Sequence, residues 1–336
     1  MEYKLPSLDS FKKDSIKLDW NEGSENLIKT LDFIDLKRLK NYPILESSEL
    51  KNTILKKNNF INKDLDIILT TGSDEFIFRL LVSLKKEIDH LYFIKPSYTQ
   101  ILSDSINLGY NVVELYSDPF QDISVDLFDD ISPDVRGLFY ICTPNNPTGR
   151  IVDSKIIKEL SHKFSNSLFI IDEAYIDFCE NLSVINLSEC CSNLIFIRTF
   201  SKAYSLAGLR VGYGIYNTKR LPDFHKYFNP KSISLLSSVI CKRAIDLNLS
   251  ETYLKEVEEF KTYLKELNNP NVFFNEGNFF LYKPKCGVAN YLQKLNQNKI
   301  YVRDRSSMHG LEGFVRISIS DINSMMNNID LILEKE

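Results

Sequence analysis

Short runs of β-branched and aromatic residues recur through the first two thirds of the chain: "DIILT", "HLYFI", "NVVEL", "GLFYIC", "LFIID", "LIFIR" and "VGYGIY". Several are apolar at successive rather than alternate positions, the pattern of strands buried on both faces. Helix-length segments separate them, among them Ser73 to Leu84 and Asp153 to Phe164. Strands alternating with helices predict an α/β domain with a largely parallel sheet sandwiched by helices. From about Ser232 the texture changes. "SETYLKEVEEFKTYLKELNN" places Leu254, Val257, Phe260, Leu264 and Leu267 on one stripe and leaves a Lys/Glu run as the solvated face. "NFFLYK", "KIYVRD" and "FVRISIS" then read as strands, and a closing helix is expected from about Asp321, capped by Ser320 or Asp321. The layout predicts a large domain over residues 26–231 and a smaller α+β domain built from both chain ends, residues 1–25 together with 232–336.

At 336 residues and 43% hydrophobic content, the chain is long enough for one large core or two lobes. Its 41 basic and 45 acidic side chains give a formal charge of -4, which argues against a nucleic-acid partner gripped by a basic face. No apolar run reaches the length of a membrane span, and "MEYKLPSLDSFKKDS" lacks the apolar core of a secretory signal, so a cytoplasmic protein is expected. The six cysteines form no C-x-x-C pair and the four histidines no H-E-x-x-H, so the expectation is reduced thiols and no metal.

Four short segments carry candidate chemistry. "TTGSDE" (70–75) follows a strand and opens a helix, so the amides of Ser73 and Asp74 offer either a seat for a phosphate or an ordinary capped helix start. "TPNNPTG" (143–149) is a turn held by two prolines at the carboxyl end of a strand, able to point Asn146 at a bound ring. "LFIIDEAYIDF" (168–178) runs from an apolar strand into Asp172, with Tyr175 three residues on. An acid there is a helix cap, an ion-pair partner, or a group that holds a proton on a heterocyclic nitrogen. "TFSKAYSLAGLRVGYG" (199–214) sets the amine of Lys202 beside the hydroxyls of Thr199 and Ser201, with the guanidinium of Arg210 eight residues later.

Together, G-S-D-E, N-N-P-T-G, D-E-A-Y and S-K-x-x-x-L-A-G-L-R-x-G resemble the pyridoxal-phosphate aminotransferases of the aspartate aminotransferase fold type, also called fold type I, and most of all the histidinol-phosphate aminotransferases. The resemblance runs from "LDWNEG" to "VRISIS". It implies pyridoxal 5'-phosphate as cofactor, held by Lys202 as a Schiff base, with the same lysine serving as base and acid of the proton shift. It implies that Asp172 keeps the pyridine nitrogen protonated, that Asn146 and Tyr175 bond the ring's 3-oxygen, and that Tyr98 of "KPSYTQ" stacks on the ring. Ser73, Asp74, Thr199, Ser201 and Arg210 are implied to surround the cofactor phosphate, with Tyr42 of "KNYPILE" reaching it from the neighbouring subunit of a homodimer. On the substrate side, Arg316 resembles the carboxylate-binding arginine and Arg303 a second arginine suited to a substrate phosphate, thirteen residues apart in a "VRD…GL…VRI" frame. Asn21 of "DWNEG" fits the substrate-lobe motif, and His309 reads as structural.

Three departures bear on the substrate. "LPSLDSF" lacks the Pro-Tyr whose tyrosine in the family helps bind an imidazole, "NEGS" replaces N-E-N-P, and "SISD" replaces the usual Gly-Thr after the arginine strand. The expectation is transfer of an amino group between glutamate and a small phosphorylated ketone, either histidinol-phosphate-like or a compact three-carbon phosphate such as dihydroxyacetone phosphate. The alternative is decarboxylation of a phosphorylated amino acid such as serine or threonine phosphate, which uses the same lysine, aspartate and arginines. A nicotinamide dehydrogenase is disfavoured, since "GLRVGYG" has the wrong glycine spacing.

Overall fold

The computed structural model describes residues 15–19, 21, 39–58 and 64–335, so "LPSLDSF" and most of "NEGS" lie outside the described residues. After a short strand β1 (Ile16–Leu18) and helix α1 (Ile44–Lys57), seven strands form one sheet: β2 (Leu65–Thr70), β3 (His90–Lys95), β4 (Asn111–Tyr116), β5 (Gly137–Cys142), β6 (Leu168–Asp172), β7 (Leu194–Thr199) and β8 (Gly212–Asn217). Their order is β2-β8-β7-β6-β5-β3-β4. The five from β7 to β4 run parallel, while β8 is antiparallel to both β7 and β2. Strands β5, β6, β7 and β8 are buried at every residue, as the continuous apolar runs predict. One face packs into a core with Ile141, Ile171 and Phe196, and the other with Tyr140, Ile170 and Ile197.

Helix α2 (Ser73–Leu84) starts immediately after β2, α3 (Gln100–Asn107) after β3, and α4 (Ser154–Lys163) after the N-P-T-G turn. Asp153 caps α4 by accepting from the Lys155 amide. Helix α5 (Leu235–Asp246) places Cys241 and Ala244 in the same core as Leu50 and Ile54 of α1.

The second sheet gathers both ends of the chain. Strands β9 (Val272–Phe273), β10 (Phe279–Tyr282), β11 (Ile300–Asp304) and β12 (Val315–Ser318) join β1 in the order β1-β11-β12-β10-β9. Helix α6 (Ser250–Glu266) packs on it, but its buried face carries Tyr253 in place of Leu254 and includes Lys261. Tyr253 is drawn inward because its hydroxyl has buried polar partners, Asn278 and the Ile319 carbonyl. Lys261 lies 3.7 Å from Glu276, and burial holds its amine below the usual lysine range. Helix α7 (Val288–Gln297) links β10 to β11, and the expected closing helix comes as two turns, α8 (Ile322–Asn327) and α9 (Ile329–Ile332), broken at Asn328. Asp321 caps the first by accepting from the Ser324 amide.

No helix among the described residues is long and apolar enough to cross a membrane.

Candidate active site

The carboxyl ends of β5, β6 and β7 and the start of β8 bring the four sequence segments to one edge of the large sheet. At its centre is Asp172, the last residue of β6. Its Oδ2 accepts from the Tyr140 hydroxyl at 2.6 Å, and its Oδ1 from the Ala174 amide at 3.0 Å. Burial pushes its carboxyl up to about 6, against the pull of those two donors and of the Lys202 charge. Lys202 follows β7, with Nζ 5.5 Å from the centre of the Tyr175 ring. Tyr175 is buried, and that burial pushes its phenol up to about 12 despite the nearby Arg316 charge.

An anion cup lies beside this group. Gly72 is the N-cap of α2 and has no side chain, so no side-chain cap occupies the amides that open the helix. Gly212 presses against them: a Cβ there would stand 2.3 Å from the Ser73 nitrogen, and one on Gly72 would stand 2.4 Å from Arg210 Nη2. Backbone and guanidinium therefore converge where no side chain fits. Arg210 takes the left-handed conformation (φ 52°) as it leaves the short turn 207–209, and its guanidinium lies 3.7 Å from the Asp74 carboxylate. Tyr98 donates its hydroxyl to that carboxylate at 3.0 Å. Thr199 donates to Ser201 Oγ at 3.0 Å and accepts from the Ser201 amide at 3.1 Å, which pins the loop that carries Lys202. Free helix amides, a hydroxyl and a guanidinium form a donor set for a phosphate dianion, and Asp172 with Lys202 supplies the partners of a pyridine nitrogen and an aldehyde. The residues present fit pyridoxal phosphate.

The small sheet closes over the same edge. The N-P-T-G turn is stitched to it by the Glu276 amide, which donates to the Gly149 carbonyl at 2.9 Å, and by Asn275, which donates to the Thr148 carbonyl at 3.0 Å. Arg316 on β12 is buried and donates to Asn146 Oδ1 at 2.7 Å and to the Asp19 carbonyl at 2.6 Å. Arg303 on β11 pairs directly with Arg316, which puts both guanidiniums on one face of the sheet. Asn21 is fully buried, its amide engaged by Ser318 and Tyr175. Tyr42 is not brought to this cluster: it is 74% exposed at the start of α1, with Lys231 Nζ 4.6 Å from its ring centre. His309 is exposed and packs edge-on against Tyr116.

The sequence reading missed two supports of the site. Tyr140 lies inside the apolar run of β5 with nothing to set it apart, and its partner Asp172 is 32 residues away. The other is a buried ion pair just behind the catalytic edge, Arg198 with Glu173. A charged residue inside a strand as apolar as "LIFIR" was the available signal, because a buried charge needs a partner.

Residues 16–329 match the aminotransferase class I and II family. A dihydroxyacetone phosphate transaminase of Campylobacter jejuni is 31% identical over 331 residues, covering 94% of this chain and 89% of that protein. The histidinol-phosphate aminotransferase of Methanococcus aeolicus is 29% identical over 334 residues, covering 95% and 89% of the two chains. The solved histidinol-phosphate aminotransferase of Sinorhizobium meliloti in complex with pyridoxal-5'-phosphate superposes with a TM-score of 0.80 at 18% identity, covering 97% of this chain and 91% of that one, a likeness of fold. With the anion cup, the buried acid and the lysine at one sheet edge, this chain belongs to the class I and II aminotransferases, enzymes dependent on pyridoxal phosphate, and resembles their histidinol-phosphate branch.

Proposed function

We propose that the enzyme moves an amino group from glutamate to a compact phosphorylated ketone, with dihydroxyacetone phosphate as the favoured acceptor. The observation that carries this reading is the facing pair Arg303 and Arg316. Two guanidiniums on one face of the small sheet suit a phosphate dianion better than one carboxylate. The similar transaminase of Campylobacter jejuni and the missing tyrosine in "LPSLDSF" support a small acceptor over an imidazole-bearing one.

When bound, pyridoxal phosphate would supply a conjugated electron sink for the electron pair released at the substrate carbon. The protein's own residues do the rest. Lys202 would hold the cofactor, and its amine would serve as the base and acid toward the substrate carbon. Asp172, its two oxygens fixed by the Tyr140 and Ala174 donors, would hold the proton on the pyridine nitrogen. Ser73, Asp74, Thr199, Ser201 and Arg210 would fix the cofactor phosphate, Asn146 and Tyr175 would hold the ring oxygen, and Tyr98 would pack on the ring. Arg316 and Arg303 orient the acceptor through its phosphate and the donor through its carboxylates. The reaction balances as an exchange: glutamate gives up its amino group and a hydrogen and becomes the keto acid, while the ketone becomes the amine.

Residues 26–231 serve as the cofactor domain, with 1–25 and 232–336 as the substrate domain. The two sheets support this division, and α5, packed on α1, is the exception. Two copies complete the pair of sites, with Tyr42 reaching across to the neighbouring phosphate. Steady-state rates with glutamate and either dihydroxyacetone phosphate or the imidazole-bearing ketone test the substrate. A higher kcat/KM for the three-carbon ketone is expected. Preference for the imidazole compound would remove that reading, and carbon dioxide release from serine or threonine phosphate without a keto acceptor would replace transamination altogether.

A further inference from the structure

Strand β12 sends Val315 and Ile317 into the small-sheet core and turns Arg316 and Ser318 to the other face. Among the described residues, Ser318 spends its hydroxyl on Asn21. Its Oγ donates to Asn21 Oδ1 at 2.6 Å and accepts from the Asn21 amide N–H at 2.8 Å. Asn21 sits in the left-handed region (φ 54°), which asparagine tolerates better than most residues. On its far side, Asn278 Nδ2 donates to the Asn21 carbonyl at 3.1 Å and to Tyr253 Oη at 2.8 Å. Asn21, Ser318 and Asn278 are all 0% exposed, so water does not compete for these bonds.

The polarity of this chain has a chemical consequence. Because Ser318 donates to Oδ1, the other end of the amide, Nδ2, is the one that faces Tyr175, and it donates to Tyr175 Oη at 3.0 Å. An amide nitrogen cannot accept, so the phenolic proton is not spent on Asn21 and remains available as a donor. With the amide turned round, the phenol would donate to Asn21 instead.

We infer that Ser318 is a positioning residue: acting through Asn21, it keeps the Tyr175 hydroxyl a hydrogen-bond donor toward the ring oxygen of the cofactor. This deepens the proposed function and rests on its assignment of Tyr175. It also gives the substrate-side strand a second hold on the cofactor half, separate from the Arg316 contact with Asn146.

A pH titration of the visible absorption of the cofactor-loaded protein, without substrate, tests it. A donor to the ring oxygen favours its anionic form, so Ser318→Ala is expected to move the spectroscopic midpoint upward by about one pH unit, the scale of one net hydrogen bond. Ser318→Thr keeps the hydroxyl and should titrate like wild type. Asn21→Asp keeps the acceptor for Ser318 but replaces the donor facing Tyr175 with a second acceptor, and should shift the midpoint upward as well. An unmoved midpoint in folded Ser318→Ala overturns the inference, as does an equal shift in Ser318→Thr. Should Ser318→Ala fail to fold, an unmoved midpoint in Asn21→Asp overturns it alone. A wild-type protein with no visible cofactor band would sink the cofactor reading too, so the two failures are distinguishable.

Discussion

At the scale of single residues, Asp172 shows how the fold sets reactivity. Its two oxygens already accept from Tyr140 and the Ala174 amide, yet burial still raises the carboxyl from its ordinary 3.8 to about 6. The native state therefore holds this proton more tightly than the unfolded chain does. The contribution to stability is fully present below 3.8 and is lost as pH rises through about 6. In the cofactor-free protein, Asp172→Asn should raise stability above neutrality by up to ~3 kcal/mol, the equivalent of about two pKa units. That gap should close as the pH falls toward 3.8, and denaturant melts at a series of pH values check it. Asp172 was legible as an acid ending an apolar strand. Tyr140 was not, because nothing in "GLFYIC" distinguishes a tyrosine with a buried partner from one that merely fills space.

At the scale of elements, the ends of β6 and β7 are locked together one residue from Asp172 and Thr199. Arg198 donates to Glu173 Oε2 from Nε at 2.9 Å and from Nη2 at 2.7 Å, and Nη1 reaches Asn58 Oδ1 at 2.7 Å. Ser183 and the Val184 amide satisfy Glu173 Oε1, each at 2.9 Å. Burial alone would lower the guanidinium's affinity for its proton, but the Glu173 charge raises it. Removing one partner strands a buried charge, so Arg198→Met should cost ~3–5 kcal/mol and lower the Tm by roughly 5 °C. Adding Glu173→Met should restore part of that loss, since the stranded carboxylate is then gone, and calorimetry on the two variants decides it. The strands themselves were readable from their apolar runs. The inward turn of Tyr253 was not, because the partners that hold it, Asn278 and the Ile319 carbonyl, come from a distant stretch of chain.

At the scale of the whole molecule, Leu39, Tyr42, Ile44 and Leu45 stand 51–74% exposed around the start of α1. Exposed apolar residues so closely spaced are the kind of surface that a protein partner covers. In the proposed homodimer that surface is the contact between copies and delivers Tyr42 to the partner's phosphate cup. Ile44→Glu should therefore produce monomers by light scattering and weaken cofactor retention at least ~tenfold; a fully active monomer would contradict it. The two-sheet layout and the cofactor edge could be read from strand spacing and four motifs. Substrate choice could not, because in the proposed reading it turns on Arg303 facing Arg316 across two strands and on an N-terminal segment whose motif has diverged. All of these assignments depend on Lys202 being the residue that carries the cofactor. Borohydride reduction of the loaded enzyme, followed by peptide mass spectrometry, should place a pyridoxyl group on Lys202 alone. Finding it on another lysine, such as Lys57 or Lys261, or finding none, would contradict the account.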